Sequence, residues 1–328
     1  MSITFKQTII HNLDLSMGIP IISKEPVVLT DETESFITKK LVSVVENTGI
    51  ADAEFSGQMN LYPEDSLSYK LNNWNDKYFI QLADDVAQLF YRYMIEYGTI
   101  PSGDLVAALY NANGENKLAF MKINFKEEYT HFVENSETGV RSRIIKHKGI
   151  YEQKVNEAVV FNLDAGTVQI LDGSKSKYVQ LLFDLKPKLS VKETISAIEK
   201  VARKVVEEHY DNQLVPLNEL RNNIYESISR TSTIPVMDVM KETFGNDDEV
   251  LEACIDRMEE MGIRESKVDV SSNSIRNKFA TQKLKTDTGI EIKMPTHLVK
   301  DSDFFEIVNE PDGTITLKIK HISKVLNK

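Results

Sequence analysis

Residues 104–125 read DLVAALYNANGENKLAFMKINF, and this stretch decides the fold class. Two apolar runs, Asp104–Tyr110 and Lys117–Phe125, flank the turn sequence Asn111-Ala112-Asn113-Gly114. Asn-Gly between two such runs is a strong β-hairpin signal, because both residues tolerate the positive φ angles of a tight turn. The stretch therefore predicts an antiparallel pair of strands.

Further strand patterns surround this hairpin. Arg141–His147 is one, and Ala158–Leu163 with Thr167–Leu171 forms a second hairpin around Asp164-Ala165-Gly166. Upstream, short strands are predicted at Ile3–Ile10 and at Ile19–Val28, the latter interrupted by Pro26. Successive strands joined by turns indicate an antiparallel sheet in an α+β protein, and not alternating βαβ units.

Helical periodicity flanks the sheet. Between Asn75 and Tyr97, apolar and aromatic residues recur at steps of three and four: Phe79, Leu82, Ala83, Val86, Leu89, Phe90, Tyr93, Met94 and Tyr97. Such a wide apolar stripe predicts a helix packed on the sheet. An earlier helix begins near Asp31, where Asp31 and Glu34 resemble a capping pair, and a short helix is predicted at Lys175–Leu185.

A chain of 328 residues predicts two domains. We place them at residues 1–185, an N-terminal α+β domain, and 186–328, a C-terminal helical and β-hairpin domain. Ser190 and Glu193 form a predicted capping box. The elements predicted after it are a helix to Tyr210, helices at Leu217–Ser229, Val236–Phe244 and Asp247–Met261, and hairpins pairing Thr281–Thr286 with Ile290–Met294 and Phe304–Val308 with Thr314–His321.

Composition excludes several classes of protein. Hydrophobic residues make up 41% of the chain, which can therefore bury a sizeable core, and the formal net charge of −11 opposes uniform charge-driven binding to nucleic acid. Cys254, the only cysteine, allows neither an intramolecular disulfide nor a cysteine zinc site. The sequence shows no secretory signal and no apolar run of the ~18 residues that span a membrane, so we expect a cytoplasmic protein without membrane contact.

The sequence offers little catalytic chemistry. It contains no Gly-rich phosphate loop, and none of its histidines lies at metal-ligand helical spacing from another. We therefore expect no enzyme, no cofactor and no metal. One enzyme hypothesis stays open: Glu291-Ile292-Lys293, with Asp287 upstream, has the form of an acid and a Glu-x-Lys strand that hold a divalent cation in metal-dependent nucleases.

Local basic clusters stand out because the whole chain is acidic. Residues 138–154 carry five Lys and Arg residues against Glu152 alone; residues 273–285 and residues 315–328, which end at Lys328, each carry four cations and no acid. Basic strand segments could neutralise phosphates at regular intervals, whereas lysines also protect exposed strand edges. The predicted nucleic-acid-binding residues are Arg141, Arg143, Lys146, Lys148, Arg276, Lys278, Lys283 and Lys285.

Nearly the whole chain resembles the bacterial nucleoid-associated proteins of the 37-kilodalton class. The resemblance is carried by the order and pattern of residues 9–13, 26–29, 158–163, 170–175, 178–184, 278–279, 289–292 and 312–319. It implies association with the nucleoid in the bacterial cytoplasm, and DNA binding. It carries no residue-level functional motif to this chain.

Three functions therefore compete. The first is a non-enzymatic protein that contacts DNA phosphates through basic strand segments with little sequence specificity. The second is an adaptor that binds other nucleoid or DNA-processing proteins, and the third is the metal-dependent nuclease. Phosphate contacts give a steep loss of affinity with salt, which separates the first from the second. The sequence leaves homo-oligomer formation open.

Overall fold

The computed structural model describes residues 2–57, 63, 66–137, 139–151, 153–210, 214–245, 247–263, 267–270 and 273–324. The protein is α+β, which confirms the predicted fold class. The chain divides into two compact units, Met1–Lys188 and Leu189–Lys328. Glu152 and Lys328, which were counted in the basic clusters, lie outside the described residues.

The first unit is built on an antiparallel sheet. Its strands are β1 (Ile3–Leu13), β2 (Ala51–Phe55), β3 (Gly103–Ala112), β4 (Glu115–Asn124), β5 (Lys126–Ser136), β6 (Gly139–Gly149), β7 (Glu157–Asn162), β8 (Thr167–Asp172) and β9 (Leu185–Pro187). Seven of them form the main sheet in the order β1-β3-β4-β7-β8-β2-β9, while β5 and β6 pair only with each other.

Both predicted hairpins of the main sheet are confirmed. β3 and β4 pair from Gly103 opposite Asn124 to Ala112 opposite Glu115. Asn113 and Gly114 adopt φ angles of 53° and 91°, which a type I′ turn requires. The turn sequence therefore sets the register in which apolar residues of both strands meet.

Helices cover both faces of this sheet. They are α1 (Asp31–Val45), α2 (Leu67–Asn72), α3 (Phe79–Tyr97) and α4 (Tyr178–Leu182). Leu105 and Phe120 face a core shared with α3 and α4, whereas Val106 and Met121 face a core shared with α1. Strands buried on both faces need apolar residues at successive positions, which explains the unbroken apolar runs of residues 104–125.

The helix ends differ in detail from the predictions. The strongest predicted helix, Asn75–Tyr97, is α3 preceded by a 3-10 turn at Asp76–Tyr78. Helix α1 is capped one residue earlier than predicted, by Thr30 with Thr33 and not by Asp31 with Glu34. The Thr30 side chain accepts a hydrogen bond from the Thr33 amide, and the Thr30 amide donates to the Thr33 hydroxyl at 2.8 Å.

One predicted element of the first unit is wrong, and one is shorter than predicted. Ile19–Val28 forms no strand, because Pro20 and Pro26 lack the amide hydrogens of a ladder and Ile21 makes only a single bridge to Asn12. The predicted helix Lys175–Leu185 is reduced to α4, and the chain then enters β9, which pairs with β2.

The second unit opens with helices and closes with hairpins. Its helices are α5 (Val191–His209), α6 (Leu214–Thr231), α7 (Val236–Phe244), α8 (Asp248–Glu260), α9 (Asn273–Ala280) and α10 (Thr296–Val299). Its strands are β10 (Thr233–Pro235), β11 (Lys267–Asp269), β12 (Thr281–Lys285), β13 (Glu291–Pro295), β14 (Phe305–Asn309) and β15 (Ile315–Ile319). The Ser190–Glu193 capping box of α5 is confirmed.

The second unit has a hydrophobic core of its own. Helices α5 to α9 contribute buried residues that include Val201, Ile224, Met240 and Phe279. Cys254 lies in this core, where burial raises the pKa of its thiol to about 11, as expected for a structural cysteine. Because each unit buries its own core, we propose that the two units are separate domains.

Candidate nucleic-acid interface

The first predicted basic cluster lies on an exposed two-stranded arm, formed by β5 and β6 (Lys126–Gly149). Directly opposed residues share one face of an antiparallel pair. The first face carries Arg141 and Arg143, and the second face carries Lys146 and Lys148. The structure therefore brings the four predicted cations together on one arm but divides them between its two faces.

Acidic residues pair with most of these cations. Arg143 lies 2.6 Å from Glu134 and Lys146 lies 2.5 Å from Glu127, both across the arm. Lys148 bonds to Asp14 at the base of the arm. Arg141 has no ion-pair partner within the described part of the chain. The arm is therefore much less basic than the count along β6 indicates.

Two carboxylates at the base of the arm, Asp14 and Asp104, have pKa values shifted in opposite directions. Although burial opposes ionisation, hydrogen bonds from Lys148 and Ser16 lower the pKa of Asp14 to about 2. Burial raises the pKa of Asp104 to about 6; a hydrogen bond from Asn12 opposes this rise, and the charge of Asp14 adds to it. The Asn12 amide nitrogen lies 3.2 Å from the Asp104 carboxylate.

We expect Asp104→Asn to stabilise the protein at pH 7.5 and to have little effect near pH 3. The folded-state pKa of about 6 lies above the value of ~3.9 in an unfolded chain, so folding is increasingly disfavoured as the pH rises between these values, and the full penalty is present above pH 6. The penalty disappears once both states are protonated. Urea unfolding at the two pH values measures the difference. Asp164→Asn should instead destabilise the protein at pH 7.5, because hydrogen bonds from Asn116 lower the pKa of Asp164 and favour its charged form in the folded state. If both substitutions changed the free energy of unfolding in the same direction, this assignment would be contradicted.

The second predicted cluster only partly lies on strands. Arg276 and Lys278 lie on helix α9, which corrects the prediction of a basic strand segment there. The spacing of Ile275 and Phe279, both buried, is the helical signal that the basic residues obscured. Arg276 donates a hydrogen bond to Ser232 at 2.8 Å, and Lys278 lies 3.3 Å from Glu199.

Lys283 and Lys285 lie on the β12–β13 hairpin. The register places exposed Lys283 directly opposite exposed Lys293, and Lys285 opposite Glu291 at 3.6 Å. Like charges directly opposite each other destabilise a strand pair. The Lys283–Lys293 pair therefore favours an anion bound over this face of the hairpin.

Lys283 and Lys293 border a basic groove with a cavity volume of about 700 Å³. We define the basic groove by five cations: Arg203, Arg221, Lys278, Lys283 and Lys293. Glu199 is the acidic residue that lines it, and Leu217, Leu220 and Ile224 are among its apolar lining residues. Arg203 and Lys293 were not among the predicted binding residues, because α5 and β13 are far apart in the sequence and line the same groove only in the folded unit.

Arg221 on α6 links this helix to α9 and β12 at the basic groove. Its guanidinium donates to the backbone oxygens of Lys278 at 2.6 Å and Thr281 at 3.1 Å, and it lies 4.9 Å from the centre of the Phe279 ring. Burial lowers the pKa of Arg221, and Glu199, at 3.7 Å, opposes this effect. By contrast, Arg203, Lys283 and Lys293 have no ion-pair partner in the described residues.

The third basic cluster is partly neutralised. Lys318 on β15 and Lys320, which directly follows β15, lie 3.9 Å and 2.7 Å from Glu306 on the paired strand β14. Together these strands form the last hairpin of the second unit. This cluster therefore offers less free positive charge than the basic groove.

The residues of the nuclease hypothesis do not converge. Asp287 lies in the turn between β12 and β13, and the Glu291 side chain pairs with Lys285. Within the described residues, no three His, Cys, Asp or Glu side chains form a group that could hold a metal ion.

Comparison with known proteins supports the resemblance seen in the sequence. No helix among the described residues is long and apolar enough to cross a membrane. No curated protein matches the chain. A family model described as nucleoid-associated protein YejK matches residues 9–327, which include almost all of both units. The chain therefore belongs to the nucleoid-associated protein YejK family.

Proposed function

We propose that this protein binds DNA directly and without catalysis at the bacterial nucleoid, through the basic groove of its second unit. Membership of a nucleoid-associated family supports the nucleoid as its place of action. The observation that carries the proposal is the opposed pair Lys283–Lys293, bordered by Arg203, with no acidic partner among the described residues. Phosphates are the anions that DNA offers to such cations.

The net charge of −11 is compatible with this binding. The Debye length is ~8 Å at physiological salt, so distant carboxylates are largely screened from a phosphate at the groove. Lys and Arg side chains on a hairpin contact the backbone without reading base edges. We therefore propose weak sequence specificity. Of the predicted residues, Lys278 and Lys283 line this groove. Lys285 is paired with Glu291, Arg276 bonds to Ser232, and on the arm Arg143 is paired with Glu134.

The test is a DNA titration at two salt concentrations with a groove variant. Arg203→Ser, Lys283→Ser and Lys293→Ser together should lower affinity uniformly across DNA sequences and reduce the log–log salt slope by about 2.7, from ~0.9 per phosphate contact. The matched control is Lys285→Ser, Lys318→Ser and Lys320→Ser, which changes the net charge equally but removes cations that are already paired.

The control variant should keep both the affinity and most of the slope. If both triple variants bind like the unaltered protein, the basic groove is not the site. Arg141→Ser, Arg143→Ser, Lys146→Ser and Lys148→Ser then test the arm, and salt-independent recruitment to the nucleoid favours the adaptor hypothesis. Adding magnesium to the same titration tests the nuclease alternative, since cleavage abolished by Glu291→Gln would establish it.

A further inference from the structure

The second face of the arm is apolar and uncovered. Tyr129, Val133, Val140 and Ile144 are 72%, 53%, 73% and 76% exposed. They alternate between β5 and β6 at successive positions of this face and form one zigzag row along the arm. Tyr129 is opposite Lys146, which pairs with Glu127, while Ile144, Val133 and Val140 are opposite His131, Ser142 and Asn135. Beyond the Tyr129–Lys146 pair, the described residues of this face therefore include no Lys, Arg, Asp or Glu.

An isolated ribbon of this kind needs a partner. A two-stranded hairpin is only marginally stable in water unless a further layer covers its apolar face. The high exposure of all four side chains shows that no described part of the same chain provides that layer. Contiguous exposed apolar side chains on a soluble protein are typical of a protein–protein interface.

DNA does not suit this face as an occupant. Phosphates require cations, and the lysines of the second face lie at the base of the arm, where Lys146 pairs with Glu127 and Lys148 with Asp14. A protein surface is therefore the expected occupant. The area of the arm indicates whether that surface belongs to a foreign protein or to a second copy of this chain.

The area of the arm favours a symmetric partner. Each strand has 11 residues, so the arm is ~35 Å long and ~10 Å wide, and one face covers ~350 Å². One arm lying on a foreign protein would bury ~700 Å² in total, below the ~1,200 Å² of a stable interface. A twofold dimer uses the arm twice and reaches ~1,400 Å². We propose that the arm lies, by its second face, against a second copy of this chain.

Sedimentation velocity of the full chain over a range of concentrations tests this dimer. Val140→Asp with Ile144→Asp should raise the dissociation constant of the dimer by at least ~100-fold, because the proposed contact would bury two unpaired carboxylates in each half of the interface. The matched control is Thr130→Asp with His147→Asp, which places two carboxylates on the first face of the same strands. The control should dimerise like the unaltered protein.

Hydrogen exchange on the unaltered protein gives a second readout that needs no substitution. Amides of β5 and β6 should be protected above the dissociation constant and exchange much faster below it, while those of β3 and β4 stay unchanged. The proposal is overturned if the protein is monomeric at all concentrations, if the second-face variant dimerises normally, if both variants weaken the dimer equally, or if protection of the arm does not depend on concentration.

Discussion

Replacing Lys122 by Met is expected to lower the free energy of unfolding by about 3–5 kcal/mol. Lys122 and Glu157 are directly opposed on β4 and β7, and both are buried. The Lys122 Nζ lies 3.1 Å from a Glu157 carboxylate oxygen, which also accepts a hydrogen bond from the Tyr178 hydroxyl at 2.7 Å. Burial lowers the pKa of Lys122 and Glu157 opposes this effect, so each charge depends on the other.

The loss in Lys122→Met comes mainly from the unpaired Glu157 carboxylate. Combining it with Glu157→Gln removes that charge and keeps an acceptor for Tyr178, so the double variant should regain much of the lost stability. Guanidinium unfolding of the two single variants and the double variant measures the coupling. Strictly additive losses would mean that the pair acts as two independent groups.

Phe90→Ala is expected to cost about 3–5 kcal/mol. Phe90 is fully buried on α3 and packs edge-on against Tyr178 at 5.8 Å and Phe183 at 6.3 Å. Both partners lie where the chain returns from the sheet through α4, so a cavity at Phe90 would loosen the contact between α3 and the sheet.

The matched control for Phe90→Ala is Ile95→Ala on the same helix. Ile95 is 61% exposed, so its truncation should change the free energy of unfolding by no more than ~0.5 kcal/mol. Thermal or urea unfolding compares the two variants. Similar losses for both would mean that helix propensity, and not core packing, determines the effect.

The main sheet was predictable because burial leaves a pattern in the sequence. Residues 104–125 lie between two layers of helices, and their apolar runs and Asn113-Gly114 turn follow directly from that position. The strand β5 was missed for the converse reason. Its side chains are largely exposed on both faces, so neither an unbroken apolar run nor a strict alternation marks it.

The net charge of each surface was less predictable from the sequence than the fold of the chain. Counting along β6 gave a strongly basic segment, but Glu127 and Glu134 lie across the arm on the unpredicted strand β5. In the second unit the count along the chain underestimated the positive charge. Arg203 lies far from residues 273–285 in the sequence, yet it lines the same groove. Electrostatic neighbours are set by strand register and helix packing, which a one-dimensional count does not contain.

The strand order of the main sheet has a consequence for the newly made chain. β2 lies between β8 and β9, so Ala53 cannot meet Val168 or Pro187 until more than a hundred further residues have been synthesised. At the usual ~5–20 residues per second, translation leaves β2 without either neighbour for roughly 6–23 s. During that interval the nascent chain carries Ala53-Glu54-Phe55 without its ladder partners, and its free backbone N–H and C=O groups are open to pairing with another chain.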